Sequence, residues 1–428
     1  MTATAHPQSS IMFRNVRIFN GTDPALSEPS DVTVTGNLIT QIRPTGVNPA
    51  PQPSQQVLDG TGKTLIPGLI DAHVHLMFAA LAPQDAFTAD ESYIHIAAAA
   101  NAKEMLLRGF TTVRDAGGPT FGLKRAIDEG IIAGPRIYPS GAFLSQSGGH
   151  GDFRLRNEIP RGARGYLSSS EYGGAAVIAD GEAAVLQGAR EQLMLGASQI
   201  KIMAGGGVVS TYDPLDVTQY TEREIRAAVD AAENWGTYVL AHAYTPRSVQ
   251  QAIRAGVRSI EHGHLLDEQT VELMAETQTW WSLQAFFDDE DKIGAGGASA
   301  AKAQAMIRGT DRAYELGIKH GVQIAWGTDT LYNPGAAARQ GAQLTKLTRW
   351  YKPADILTMA TSTNANLLAE SGPRNPYHAP LGVITAGAIA DLIVVDGDPL
   401  QNLDLIATPQ TAFTVIMKNG ELIKSEVA

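Results

Sequence analysis

The sequence predicts an α/β protein: a (β/α)8 TIM barrel with a small β-sandwich domain built from both chain ends. Three observations predict it. Residues 11–66 and 381–424 read as short alternating strands between Gly, Asn and Asp turns, as in "DVTVTGNLITQI" and "TAFTVIMKNGELI". Between them, short apolar runs alternate with Ala-rich, helix-periodic stretches such as "GEAAVLQGAREQLMLG" and "TEREIRAAVDAAENWG", the βαβ rhythm of a parallel sheet. The apolar runs number eight, which suits a closed barrel better than an open sheet.

In chain order the eight runs are "GLIDAHVHL", "TTVRDAGG", "RIYPSGAFL", "QIKIMAGGG", "YVLAHAY", "SIEHGH", "WWSLQAF" and "IAWGTDT". The expected organisation is residues 1–66 as the N-terminal part of the β-sandwich domain, 67–379 as the catalytic barrel and 380–428 as its C-terminal part, with both ends joined in one accessory unit.

Composition excludes several function classes. Charged residues are 18% and hydrophobic residues 44%, proportions that suit a globular enzyme and not a disordered chain. The net charge of −11 comes without any basic block, so nucleic acid is not an expected partner. No apolar run is long enough for a membrane span, and the start, "MTATAHPQSSIMFRNV", lacks a charged segment followed by an apolar one. A cytoplasmic protein is the expectation unless a leader has been removed. There are no cysteines, which leaves histidine, carboxylate or a modified lysine for any metal site.

Barrel chemistry sits at the C-terminal ends of the strands, and there the polar residues fall. His73 and His75 end the first run, Lys201 lies in the fourth, and His242, His262 and Asp329 end the fifth, sixth and eighth. Side chains alternate along a strand, so His73 and His75 point the same way. Taken alone they read more readily as two satisfied histidines at a strand end. Lys201 stands inside an apolar strand, where desolvation disfavours its charge. It either snorkels from the strand end or, held neutral, adds carbon dioxide to become a carbamate with two ligand oxygens.

These six residue types in this strand order resemble the amidohydrolase superfamily, and "LIPGLIDAHVHL" and "GAIADLIVVDGDPL" resemble that superfamily's joins between barrel and sandwich. The resemblance implies two divalent metal ions. His73 and His75 would hold the more buried ion together with Asp329, His242 and His262 the more exposed one, and Lys201 as carbamate would bridge both. Zinc suits such ligands best, with manganese, cobalt and iron as alternatives. Such a pair of ions can produce a bridging hydroxide near neutral pH and polarise a substrate carbonyl. Asp329 would then move the proton to the leaving amine as general acid and base.

Within the superfamily, "SGAFLSQSGGHGD", "KIMAGGGVVS" and "AHAYTPRSVQQAI" resemble a subgroup of Xaa-Pro and Xaa-Arg/Lys dipeptidases and ochratoxin-hydrolysing enzymes. That implies a small-molecule amide or peptide substrate with a free C-terminal carboxylate, a homo-oligomer, and His150 and Tyr244 holding the substrate's carbonyl oxygen or carboxylate. A hydrolase of cyclic amides, carbamates, phenylureas or organophosphates is the alternative, because the superfamily runs these on the same ligands. A non-catalytic metal-binding scaffold is a further reading, disfavoured by retention of Asp329.

For specificity, "LMFAALAPQDAF" after the first strand and Phe286 with Phe287 after the seventh point to a hydrophobic or aromatic substrate. The competing reading makes the Phe pair buried packing and Asp288, Asp289 and Glu290 a helix N-terminus. Arg154, Arg156, Arg161 and Arg164 lie in one long loop and offer either a carboxylate clamp or solvated and subunit-contact charges. His264 reads as a packing or supporting residue, and His95 and His320 as helix residues outside the site.

Overall fold

A computed structural model describes residues 10–47, 55–155, 157–158, 167–292 and 298–426. All eight runs form parallel strands: Leu69–Val74, Phe110–Asp115, Arg136–Pro139, Ile200–Met203, Val239–Ala243, Ser259–His262, Trp280–Leu283 and Ile324–Trp326. The third breaks at Ser140–Ala142 and resumes as Phe143–Ser145. Gly141 has φ +71°, and a Cβ there would stand 2.4 Å from Gln192 Oε1, the atom that accepts from Ala142 N. The break splits the ladder into two arcs, one of the first three strands and one running from Phe143–Ser145 through the eighth. A further parallel strand, Ala176–Ile178, flanks the second arc, an element the sequence reading did not count.

Side chains close the seam between the eighth strand and the first. Asn364 Nδ2 donates to Ile70 O at 2.7 Å and to Trp326 O at 2.8 Å, while its Oδ1 accepts from Trp326 N. A π-helical turn at Met359–Thr363, immediately before it, sets Asn364 against the seam. Nearer the mouth, Asp71 accepts from Thr328 N, Thr328 Oγ1 and Gln340 Nε2, and Asp329 N donates to His73 O at 2.8 Å.

The helices bury small residues against the sheet. In Glu222–Asn234 the buried positions are Ile225, Val229 and a set of alanines, and Thr221 and Glu224 make a reciprocal capping box at its start.

Strands from both ends of the chain form one connected sheet. Leu392–Val395 pairs antiparallel with Thr64–Pro67 on one side and with Phe413–Lys418 on the other. Its period-2 alternation serves two cores. Leu392 and Val394 join Phe13, Val32 and Leu65 in the accessory core, whereas Ile393 and Val395 join the barrel core.

A buried ion pair between Arg136 and Asp391 locks this junction to the third barrel strand. Asn419 completes it, accepting from Arg136 Nη2 at 2.9 Å and donating its N–H to Asp391 Oδ1 at 2.7 Å. Asp391→Ala leaves a buried guanidinium unpaired and should cost about 3–5 kcal/mol, read as a lowered urea midpoint. A loss below about 1 kcal/mol would show the guanidinium reaching water instead.

Candidate metal centre

His73, His75, Lys201, His242, His262 and Asp329 are all buried and meet at the mouth formed by the strand ends. The His73 ring lies 5.3 Å from His75 and 5.0 Å from His262, which lies 4.6 Å from His242. His262 and Asp329 adopt φ of +74° and +48°, a conformation that costs non-glycine residues energy and persists where surrounding structure enforces it.

Each histidine has one ring nitrogen committed to an acceptor. His73 Nδ1–H donates to Glu261 Oε2 at 2.6 Å, His75 Nδ1–H to Gly117 O at 2.9 Å, and His262 Nδ1–H to Gln284 Oε1 at 2.8 Å. His242 uses its other nitrogen, Nε2–H donating to Gly206 O at 3.1 Å. These partners fix the tautomers and leave a lone pair at Nε2 of His73, His75 and His262 and at Nδ1 of His242.

A metal fits this donor set. His73 Nε2 is buried without a hydrogen-bond partner among the described residues. Asp329 Oδ1 lies 3.2 Å from it and 3.4 Å from His75 Nε2. Ligand bonds of about 2.0–2.1 Å at a tetrahedral ion separate donors by about 3.3 Å. Ligand atoms of His73, His262 and Asp329 all fall within 4.8 Å of one another.

Electrostatics point the same way. Burial holds His242 and His262 well below the ordinary imidazole range and lowers His75, so these rings are neutral at pH 7, the form that binds metal. For His73, burial and Lys201 act downward, but Asp329 and Glu261 outweigh them and raise it; two carboxylates draw positive charge to this ring. Asp329 itself is disfavoured as an anion by burial, yet His73 and His262 hold its carboxyl well below the usual range. Lys201 is 1% exposed. Burial pushes its ammonium down to about 8, against the pull of Glu261 and Asp329.

His150 and Tyr244 stand beside these candidate ligands. The His150 ring stacks on His242 at 4.1 Å, and its Nδ1 is 2.7 Å from Ser210 Oγ. Burial lowers it to about 4, so it is neutral. The Tyr244 ring lies 4.9 Å from His242, and burial keeps its phenol protonated. Both residues line the metal-side cavity, with Phe78, Phe143, Phe153 and Tyr332 on its apolar side.

The glycines of "KIMAGGGVVS" have a steric reason. A Cβ at Gly207 would overlap the His150 ring at 1.9 Å, and one at Gly206 would strike Pro214 O. Lys302 holds the same loop, donating to Gly207 O, Ser210 O and Asp213 O at 2.7–2.9 Å.

Several supporting residues escaped the sequence reading. Glu261 accepts both Arg114 Nη2 contacts, at 2.9 and 2.7 Å, and Ser259 Oγ at 2.6 Å. Burial opposes its ionisation, but Arg114, His73 and Lys201 hold it well below the carboxylate range. The signal was present: Arg114 and Glu261, like Lys201, are charged residues inside apolar strands.

The residues offered for specificity divide as follows. Phe78 reaches the metal-side cavity, while Phe286 stacks on His264 at 4.7 Å and packs in one cluster with Tyr244, Phe287 stacks on Trp350 at 5.7 Å, and both line a neighbouring space that reaches Asp329. Asp288, Asp289 and Glu290 are paired with Lys292, Lys346 and Arg339. Arg154 chelates Asp152, and Arg156, Arg161 and Arg164 lie outside the described residues. His264 donates to Gln284 O, His95 sits on the helix Glu91–Leu107, and His320 ends the helix Ala298–His320 against Glu268.

A barrel whose mouth gathers four imidazoles, an aspartate and a depressed lysine defines a hydrolase of metal-ligating design. The chain belongs to the Amidohydrolase family, whose model matches residues 64–425; the family is generally metal-dependent, and the chain is a hydrolase acting on amide bonds. It is 33% identical over 382 residues to the ochratoxinase of Aspergillus niger, covering 84% of this chain and 75% of that protein. Among solved structures, a prolidase complexed with N-methylphosphonate-L-proline matches with TM-score 0.88 and 36% identity over 98% of this chain and all of that one. A Xaa-Pro dipeptidase with bound methionine matches with TM-score 0.84 and 26% identity, over 97% and 100% of the two chains.

Glu261→Gln keeps the shape but removes the charge that holds Arg114 and orients His73. Metal affinity should fall about 10–100-fold, measured by competition with a chelator of known affinity. Unchanged affinity would deny Glu261 this role.

Proposed function

We propose that the protein cleaves the amide bond joining an acyl group to an amino acid with a free carboxylate, using two divalent ions, most simply zinc. His73, His75 and Asp329 would hold one ion and His242 and His262 the other. The neutral amine of Lys201 would add carbon dioxide and lose a proton, giving a carbamate whose oxygens would serve as further ligands. The observation that carries this reading is the set of four fixed tautomers, which leaves four lone pairs around Asp329 and Lys201. The residues 1–66 and 380–428 form the accessory unit in this reading, packed as a sandwich beside the barrel of residues 67–379.

Bound ions supply Lewis acidity, bringing the pKa of water towards 7 and polarising a carbonyl. Asp329 takes the proton from the attacking water and returns it to the leaving nitrogen, so that amide and water become carboxylate and amine. The Tyr244 hydroxyl, protonated and without a hydrogen-bond partner among the described residues, donates to the substrate's carbonyl oxygen or carboxylate. His150, neutral and held by Ser210, helps orient the same group. The apolar side of the cavity favours Phe-like or Pro-like residues, a preference supported by similarity to an ochratoxinase and a prolidase.

Mass spectrometry of products from zinc- and bicarbonate-loaded enzyme tests this on dipeptides, N-acyl amino acids, ochratoxin A, lactams and carbamates. Release of a C-terminal amino acid supports it, and turnover of lactams or carbamates alone rejects it. In the same assay Asp329→Asn should retain much of its metal while kcat falls by about 10²–10⁴.

A pH dependence follows from Lys201. Because its ammonium is lowered to about 8, the reactive neutral amine is scarce below that pH and predominates above it. At fixed dissolved carbon dioxide, reactivation of metal-stripped enzyme should speed up as pH rises through about 8. Lys201→Ala should show no response to carbon dioxide, and a pH-flat wild-type response would contradict the carbamate.

A further inference from the structure

Lys302, on the helix Ala298–His320, places its ammonium among backbone oxygens and not beside a carboxylate. It donates to Gly207 O and Ser210 O at 2.9 Å and to Asp213 O at 2.7 Å. An ammonium has three donors, so these carbonyls use all of them and none is left to clamp a substrate. Ser210 and Asp213 are buried, and among the described residues no other donor reaches their carbonyls.

The loop that supplies these oxygens follows the fourth strand and touches two kinds of residue at the mouth. Its base is tied by Gly206 N donating to Val217 O at 3.2 Å and Gln219 N to Ala204 O at 2.9 Å. Above that base, Gly206 O accepts from His242 Nε2, Ser210 Oγ meets His150 Nδ1 at 2.7 Å, and Gln219 Oε1 accepts from His150 N at 2.8 Å. Asp213 Oδ2 joins the two sides, accepting from Gly207 N and Gln219 Nε2, both at 3.0 Å. The fit leaves no slack. Gly207 lies against the His150 ring too closely to carry a Cβ, and that ring stacks on His242. Val208 packs in one cluster with Tyr244 and with Ala303 and Met306 of the Lys302 helix.

We infer that Lys302 is a positioning residue for the site: its ammonium latches the loop after the fourth strand to the helix Ala298–His320, and the loop in turn sets His150 and His242. This rests on the amide-hydrolase reading proposed above. Without the cation, three carbonyl dipoles that point at one another repel, and the buried oxygens of Ser210 and Asp213 lose their donor. The loop then relaxes outward, taking Ser210 from His150 and Gly206 O from His242. A misplacement of about 1 Å at such groups is enough to slow a reaction about 100-fold.

The test uses Lys302→Ala, which removes a piece of side chain with the shape of propylammonium, and Lys302→Met, which keeps the apolar stem without the charge. In zinc- and bicarbonate-loaded enzyme, kcat/KM for the best-cleaved amide should fall at least about tenfold in both. Zinc affinity, read by competition with a chelator, should fall about tenfold as His242 loses its orientation. Propylammonium should restore both properties in Lys302→Ala, 1-propanol at the same concentration should not, and neither should help Lys302→Met, whose side chain fills the gap. Hydrogen exchange followed by mass spectrometry should rise in residues 204–219 of Lys302→Ala and fall again with propylammonium. Faster exchange with unchanged zinc affinity and kcat/KM would reduce Lys302 to a stabiliser of the loop and overturn the inference. Equal rescue by propanol, or none by propylammonium, would overturn it too. Should Lys302→Ala fail to fold, Lys302→Met decides, and wild-type zinc affinity and kcat/KM there reject the role. If no amide is cleaved by the wild-type enzyme, the amide-hydrolase reading fails by itself, and zinc affinity and exchange still judge Lys302.

Discussion

The site depends on a charge pair with no access to water. Arg114 and Glu261 lie fully buried inside the barrel, and each is acceptable there only because the other, with its hydrogen bonds, is present. Arg114 reaches Ala72 O, Tyr238 OH and Ser259 Oγ with its remaining donors, tying together the first, fifth and sixth strands. The charge left over on Glu261 is spent on His73 Nδ1. A barrel-filling ion pair thus becomes the device that selects an imidazole tautomer, and the same carboxylate pulls on Lys201 from behind the candidate ligands. Stability and ligand orientation share one pair of side chains.

The seam between the eighth strand and the first follows the same economy. Asp71 collects donors from the first strand, the eighth strand and the helix beyond it, and burial raises its carboxyl despite those contacts. Its backbone neighbours carry His73, and its partner Thr328 precedes Asp329. The positions of His73 and Asp329, two candidate ligands 3.2 Å apart, are therefore set by the hydrogen bonds that close the barrel. The left-handed backbone at Asp329 is sustained by that closure.

Much of this was legible in the sequence because it rests on local patterns. Eight apolar runs became eight strands, and six polar residues that interrupt them came to one mouth, since strand ends in a parallel barrel share a direction. What escaped depends on which residues face each other across the barrel, and periodicity along one strand cannot supply that. Arg114 and Glu261 are separated by 147 residues. Phe286 and Phe287 follow a barrel strand, but the rings they meet, His264 and Trp350, come from other parts of the chain and could not be read along that strand. Ala176–Ile178 was overlooked because three residues are too few to show an alternation. The glycine run after Lys201 was noticed as a motif, while its cause, the close approach of the His150 ring and of Pro214, exists only in three dimensions.

The strand Leu392–Val395 carries a consequence for synthesis of the chain. Its two faces complete two cores, and its edges bridge a strand from the N-terminal part and one from the C-terminal part. While a nascent chain still lacks it, Thr64–Pro67 presents an unpaired edge, and the barrel beneath Gly109, later covered by Ile393 and Phe413, stays wet. Neither core can finish before the ribosome has delivered residues 392–395. Until then the growing polypeptide must tolerate an open strand edge, the kind of surface that invites pairing with a neighbouring chain.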